Sequence, residues 1–428
     1  MLDIKWIREH AGQVQSVAED KGIEVSIAGL LRWDDQRRVL LQETERLRRE
    51  RNRLTERIQA HLRERETGQA EPLKEEVKQI NRRLNGLEAE RQEAEREYLR
   101  LMQLVPNIVS PDTPKGLSDR DNVEMKRVGE PRDIGFEPKD HVALGQLHGM
   151  IDIPRGVRTA GSRNYYLAGA GVRLHRAVQQ LAVDLLAAKG FALLEVPLMV
   201  RSEALLNTGF FPLGQDQTYR MAEEDRWLAG TSEVPLVAYY QHEIVDVASP
   251  LKLAAASLCF RSEVGSAGKD VHGLYRVHQF SKVEQVVLCE NNPELSERLF
   301  QEITNNAEEI LRLLELPYRV MAVCTGDMSQ KTYKQCDIET WMPSRQAYGE
   351  THSSSQLLDF QARRSNIRFK DRHGNLQYCY TLNNTAVASP RILIPLLENH
   401  QEEDGSIRIP QALRPYMNGL ERLSPGGR

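Results

Sequence analysis

The densest run of chemistry-bearing side chains in this sequence lies between Cys259-Phe260-Arg261-Ser262-Glu263 and Arg276-Val277-His278-Gln279-Phe280-Ser281-Lys282-Val283-Glu284. A loop carrying Gly265, Gly268 and Gly273 separates the two blocks. Read as strand, loop, strand, a two-residue period puts Arg261 and Glu263 on one face, and His278, Phe280, Lys282 and Glu284 on one face. An arginine grips phosphate bidentately, an aromatic ring stacks a base, and a carboxylate holds an ammonium group. Together they suit a nucleotide plus an amine. A half-exposed hairpin laced by cross-strand ion pairs accounts for the same residues, so both readings stand here.

A second unit reads Thr381-Leu382-Asn383-Asn384-Thr385, then Ser389-Pro390-Arg391 before the apolar run Ile392 to Leu397. Alternation places Thr381, Asn383 and Thr385 on one face. Ser389 reads as an N-cap with Pro390 at the first helical position. Arg391 would then sit in a first turn where the helix dipole disfavours a cation, a placement that an anion in front of it would offset. Between the units, Gly349-Glu350-Thr351-His352-Ser353-Ser354-Ser355 offers carboxylate and hydroxyl oxygens of the kind Mg²⁺ prefers, although a polar turn at a strand end reads the same way. Eleven histidines include no His-x-x-x-His pair and none near a cysteine at zinc spacing, which disfavours a catalytic zinc. Gly169-Ala170-Gly171 lacks a third glycine and a preceding buried strand, so no dinucleotide loop is read there.

The elements that must position these groups alternate from His148 to the C-terminus. A helical stripe runs from Val172 to Lys189, and strand-like runs centre on Val196, Ala256, Val283, Ile338 and Thr381. Strands joined by hairpin-like loops predict an α+β fold with a mainly antiparallel sheet flanked by helices. With 40% hydrophobic and 28% charged residues over 428 positions, the chain is a soluble one of two or three domains, with no stretch apolar enough to span a membrane. The N-terminus shows no secretion signal. Five cysteines, odd in number and never spaced Cys-x-x-Cys, speak against a disulfide scaffold and fit a reducing cytoplasm.

The net charge of −4 hides an uneven distribution. Arg37 to Arg100 holds 31 charged residues in 64 positions. Leu40, Leu47 and Leu54 recur at sevens and continue through Ile58 and Leu62. After a Gly/Pro break at Gly68 to Pro72, a second stripe follows through Val77, Ile80, Leu84, Leu87, Ala94, Tyr98, Leu101 and Val105. This spacing predicts two antiparallel helices in a coiled-coil hairpin. The first helix, Arg37 to Glu66, carries ten basic against six acidic residues. A solvated, salt-bridge-laced surface explains a charge run on its own terms. A hairpin this long buries only a narrow seam, however, and reads better as an arm that reaches a partner. A linker with three prolines, Pro106 to Gly116, follows it.

At this point the chain resembles a known family. Gly190 to Pro197, Phe260 to Phe280 and Thr381 to Arg391 look like the three motifs of class II aminoacyl-tRNA synthetases. Gly230-Thr231-Ser232-Glu233, Val277 to Glu284, Thr325-Gly326-Asp327 and Glu350 to Ser353 resemble bacterial-type seryl-tRNA synthetases in particular, over nearly the whole chain. The resemblance implies a tRNA-binding domain over residues 1–105 with its arm at about 33–105, a connector over 106–147 and a catalytic domain over 148–428. It implies a cytoplasmic homodimer that uses serine, ATP, Mg²⁺ and tRNA(Ser), and it leaves tRNA(Sec) open as a second acceptor. It assigns Arg261, Glu263 and Arg391 to catalysis. The ATP site it implies adds Ser262, Val277, His278, Gln279, Phe280, Glu350, Thr351, His352 and Ser353, with Glu350 and Ser353 on the metal. For serine it implies Thr231, Ser232, Glu233, Arg261, Glu284, Asn383 and Thr385. Asn384, Ala386 and Pro390 depart from the glycines usual in the last motif, and Gly349 and Thr351-His352 depart from the usual residues beside the metal-binding carboxylate. A tRNA-binding paralogue without ligase activity, or a ligase for a non-tRNA acceptor, remains open on these residues.

Overall fold

The computed structural model describes residues 1–265 and 272–426, so Gly268 of the expected loop lies outside them. The chain forms two compact units. Residues 3–19 and 23–105 make one; residues 1–2, 20–22 and those from 106 onward make the other.

The first unit is dominated by helix α1 (Ile27–Arg63) and helix α2 (Thr67–Leu104). At about 1.5 Å per residue each is some 55 Å long. Ser26 caps α1, its Oγ accepting from the Gly29 N–H at 3.0 Å. Leu47, Leu54, Ile80 and Leu84 close the seam, with Leu73, Val77 and Leu87 packed beside them. Outside it, Arg48–Glu88 at 2.8 Å and Arg83–Glu43 at 2.7 Å cross between the helices. Exposed pairs of this kind fix register more than they stabilise.

Two expectations need correction. The hairpin turns at residues 64–66, where Arg65 takes a left-handed φ of 59°, not at Gly68 to Pro72. Pro72 falls inside α2, where the missing N–H removes a single backbone bond in a turn packed by the buried Ala70. The heptad also thins toward the tip. Leu62, in the last turn of α1, is exposed.

The second unit is built on one eight-stranded sheet: β1 (Val123–Val128), β2 (Ala192–Leu193), β3 (Leu251–Phe260), β4 (Gln279–Cys289), β5 (Tyr318–Ala322), β6 (Lys334–Met342), β7 (Ala347–Leu358) and β8 (Tyr380–Ser389). Their order is β1-β5-β6-β7-β8-β4-β3-β2, antiparallel throughout except for β2 beside β3. The fold is therefore α+β. The polar segment after the proline-rich linker supplies β1, an edge strand of this sheet. No strand forms at Val196; pairing stops at Leu193, and Pro197 removes a ladder donor just beyond.

Helices α3 (Ala170–Ala188) and α4 (Pro293–Leu313) cover one face of the sheet. Leu174, Val178 and Leu181 meet Ile303, Ala307 and Ile310 over Val283, Val287, Ile338 and Leu382. On the opposite face Leu236, Val245 and Ile367 pack against Leu253, Val286 and Leu288. β4 is thus buried on both sides, and the face bearing Val286 and Leu288 also bears Lys282 and Glu284. No helix among the described residues is long and apolar enough to cross a membrane.

Candidate active site

Arg261, Glu263, Phe280, Lys282, Glu350, Thr351, His352, Ser353, Thr385 and Arg391 line one cavity on that face, together with Val277. β3 ends at Phe260, so Arg261 and Glu263 lie beyond the strand rather than on its alternating face. Their convergence comes from the loop. Arg261 N–H donates to the His278 carbonyl at 3.0 Å, and Glu263 takes a left-handed φ of 52°, which turns its side chain inward. Arg276 Nη1 stands 3.3 Å from Glu263 Oε2. The Arg261 guanidinium lies 5.2 Å from the Phe280 ring centre, within reach of a base stacked on that ring.

Arg391 closes the other side of the cavity, but not from a helix's first turn. β8 runs through Ser389, residues 390–392 form a turn, and the helix spans Leu393–Asn399. Ser389 does not cap it; Ser389 Oγ lies 2.8 Å from His175 Nδ1, in a partly buried pair whose imidazole is pushed down to about 4 by desolvation. Arg391 is held instead by carbonyls. Nε donates to Tyr275 at 3.0 Å and Nη1 to Glu350 at 3.2 Å, with the Tyr275 ring 4.6 Å away.

Deeper in the sheet lies a polar floor. Lys282 Nζ donates to Thr231 Oγ1 at 2.6 Å and pairs with Glu284 Oε2 at 2.7 Å. Thr385 Oγ1 reaches the same Glu284 oxygen at 3.3 Å, across a register that sets Thr385 opposite Glu284. Burial pushes the Glu284 carboxyl above the ordinary 4.5, against the pull of Lys282. Glu233 Oε1 accepts from Lys331 at 2.5 Å and from Gln361 at 2.7 Å. Asn383 shares the face of Thr381 and Thr385, and its buried Nδ2 has no hydrogen-bond partner among the described residues. An orphaned donor of that kind fits a ligand oxygen.

On β6, Asp337 is set directly opposite Ser353 of β7. Gln335 Nε2 donates to both, at 3.1 Å to Asp337 Oδ1 and 3.2 Å to Ser353 Oγ. Burial first, then the Glu350 carboxylate, pushes Asp337 up to about 8. Two carboxyl groups and a hydroxyl make an oxygen-only donor set of the kind suited to Mg²⁺.

Residues 1–109 match the family model for the seryl-tRNA synthetase N-terminal domain. Residues 218–400 match the class II tRNA synthetase core domain shared by the G, H, P, S and T enzymes. The serine–tRNA ligase of Deinococcus radiodurans is 43% identical, covering 99% of both chains, and that of Rubrobacter xylanophilus 42% identical, covering 100% of both. The crystal structure of seryl-tRNA synthetase from Pyrococcus horikoshii complexed with ATP superposes with a TM-score of 0.89 at 37% identity, covering 100% of both chains. The chain belongs to the seryl-tRNA synthetase family.

Several residues expected at the site make hydrogen bonds to the chain itself in this member of the seryl-tRNA synthetase family. Ser262 Oγ donates to the Asp216 carbonyl at 2.6 Å, and His278 Nδ1 lies 3.0 Å from the Arg261 carbonyl, so both brace the loop. Gln279 is exposed at the start of β4, its carbonyl accepting from Tyr165. Ser232 is buried, and its Oγ has no hydrogen-bond partner among the described residues. Conversely, Tyr275, Arg276, Asp337, Lys282 and Lys331 went unassigned in the sequence. Asp337 carried a signal, a carboxylate between the core positions Cys336 and Ile338. Lys331 carried none, because it reaches the floor from a loop distant in sequence.

Proposed function

We propose that the chain is a serine–tRNA ligase acting in two steps. In the first, the serine carboxylate attacks the α-phosphorus of ATP in line. The bond to the bridging α,β-oxygen breaks, leaving seryl-adenylate and pyrophosphate. Arg261 and Arg391, on opposite sides of the cavity, neutralise the developing phosphate charge, and Phe280 stacks the adenine while Glu263 holds its edge. Glu284 binds the substrate ammonium, with Thr231, Glu233, Asn383 and Thr385 completing the pocket for the amino group and hydroxyl. Glu350 and Ser353, with Asp337 behind them, would hold Mg²⁺, which supplies charge neutralisation at the triphosphate. In the second step a ribose hydroxyl at the tRNA 3′ end attacks the mixed anhydride and AMP leaves.

A floor built to hydrogen-bond a hydroxyl rejects alanine strongly, since its polar groups are then left unpaired. The hairpin α1–α2 grips tRNA(Ser), and the active form is a homodimer. A non-tRNA acceptor would leave this basic arm without a role. A silent paralogue would not need Arg261, Glu284, Glu350 and Arg391 together.

The observation that carries the reading is Glu284 on the same strand face as Phe280 and Lys282, a buried carboxylate next to the cavity that Arg261, Phe280 and Arg391 line. ATP–pyrophosphate exchange against a panel of amino acids tests it. Exchange with serine alone is expected; exchange driven by another amino acid overturns it.

A further inference from the structure

Glu233 stands in the floor with a partner that no motif announces. Lys331 Nζ reaches its Oε1 at 2.5 Å, and Gln361 Nε2 reaches the same oxygen at 2.7 Å. Oε2 takes no hydrogen bond among the described residues. The two carboxylates of the floor, Glu233 and Glu284, are thus each matched by one buried lysine, Lys331 and Lys282. A buried ion pair adds little net stability over an apolar pair, although removing one partner alone is costly.

The stem of Lys331 is held on every side. Its ammonium lies 3.8 Å from the Phe210 ring centre. Gly209 has a φ of 80°, and a Cβ there would come within 3.0 Å of the Lys331 Cβ, so the glycine makes room for the lysine stem. The loop that carries Lys331 is clamped from behind. Lys21 Nζ donates to the carbonyls of Ser329 at 3.2 Å, Gln330 at 3.4 Å and Thr332 at 2.7 Å. Asn107 Nδ2 donates to the Lys331 carbonyl at 3.0 Å. Gln361 is fixed in turn by Thr381, whose Oγ1 donates to its Oε1 at 2.8 Å.

We infer that Lys331 is a positioning residue for the amino-acid substrate: with Gln361 it pins Oε1 of Glu233, so that Oε2 alone faces the pocket, and it balances the Glu233 charge. The inference rests on the serine-pocket reading above. Among the described residues Lys331 bonds to neither ATP-side arginine, so its effect is expected on the amino acid.

The test uses the full-length chain in serine-dependent ATP–pyrophosphate exchange. Lys331→Met keeps the stem and removes the charge. It is expected to raise KM for serine about tenfold or more, the scale of losing a charge-assisted hydrogen bond, with KM for ATP and kcat nearly unchanged. In a Glu233→Gln background the same substitution is expected to add little, because its partner has lost its charge. An unchanged serine KM, or equal rises in the serine and ATP KM values, overturns the inference. Lys331→Gln serves if Lys331→Met is not recovered folded. Loss of folding in both overturns it too, since the pair would then be a stability element. Absence of any serine-dependent exchange in the unsubstituted chain would instead overturn the serine reading itself.

Discussion

Arg391 donates through Nη1 to the main-chain carbonyl of Glu350 at 3.2 Å, and the same nitrogen lies 3.7 Å from the Glu350 carboxylate. One arginine thus ties the turn after β8 to the strand that carries the candidate metal ligands. Replacing it should affect two measurements. Arg391→Ala is expected to raise KM for ATP by about a hundredfold, as expected when an arginine on a transferring phosphoryl group is lost. It should also lower unfolding stability by about 1–3 kcal/mol, because the carbonyls of Tyr275 and Glu350 lose their donor. Thermal unfolding beside exchange kinetics checks both. A variant as stable as the parent would show that those carbonyls find other donors.

Glu284 should govern the acid limb of serine activation. Its carboxyl is raised above the ordinary 4.5 chiefly by burial, with Lys282, Glu233 and Lys331 as its charged neighbours. A protonated carboxyl cannot counter an ammonium. As pH falls through the raised value, kcat/KM for serine should therefore drop earlier than for an ordinary glutamate, while pH values above it leave the pocket charged and active. Glu284→Ala is expected to cut kcat/KM for serine by about a hundredfold or more at neutral pH. Near-normal exchange in a folded Glu284→Ala protein removes Glu284 from the pocket.

Removal of divalent metal by chelation should abolish exchange, and added Mg²⁺ should restore it. Glu350→Gln is expected to raise the Mg²⁺ concentration for half-maximal exchange by about tenfold, since one hard oxygen ligand loses its charge. An unchanged Mg²⁺ dependence would move the metal away from Glu350.

The two steps should separate when the arm is shortened. Replacing residues 42–90 by a short Gly/Ser turn keeps Arg37 over the Tyr98 ring, 3.9 Å from its centre. Serine-dependent exchange is expected to survive, while tRNA charging falls by orders of magnitude and the charging of the parent weakens steeply with salt. Full charging by the shortened chain would leave the arm without a role in tRNA binding. Loss of exchange as well would make it part of the fold of the catalytic unit.

Period and composition alone determined much of this molecule. Heptads at Leu40, Leu47 and Leu54 specify a helical hairpin because a narrow apolar stripe has one way to leave water, and alternation along β4 specifies which face carries Phe280, Lys282 and Glu284. The residues Arg261, Glu350 and Arg391 were legible through the motifs that carry the resemblance rather than through period: Arg261 lies just beyond β3, Glu350 within β7 and Arg391 in the turn after β8. The tertiary structure decided what depends on residues far apart in the chain. It put Arg391 in a turn rather than a helix, since β8 runs on through Ser389 and the helix starts only at Leu393, and it turned Glu263 inward through a left-handed backbone. It set Asp337 opposite Ser353 through the pairing of β6 with β7. It delivered Lys331 to Glu233 across 98 positions of sequence. No local period encodes such contacts, because the register of a sheet and the clamp on a loop exist only after the core has closed.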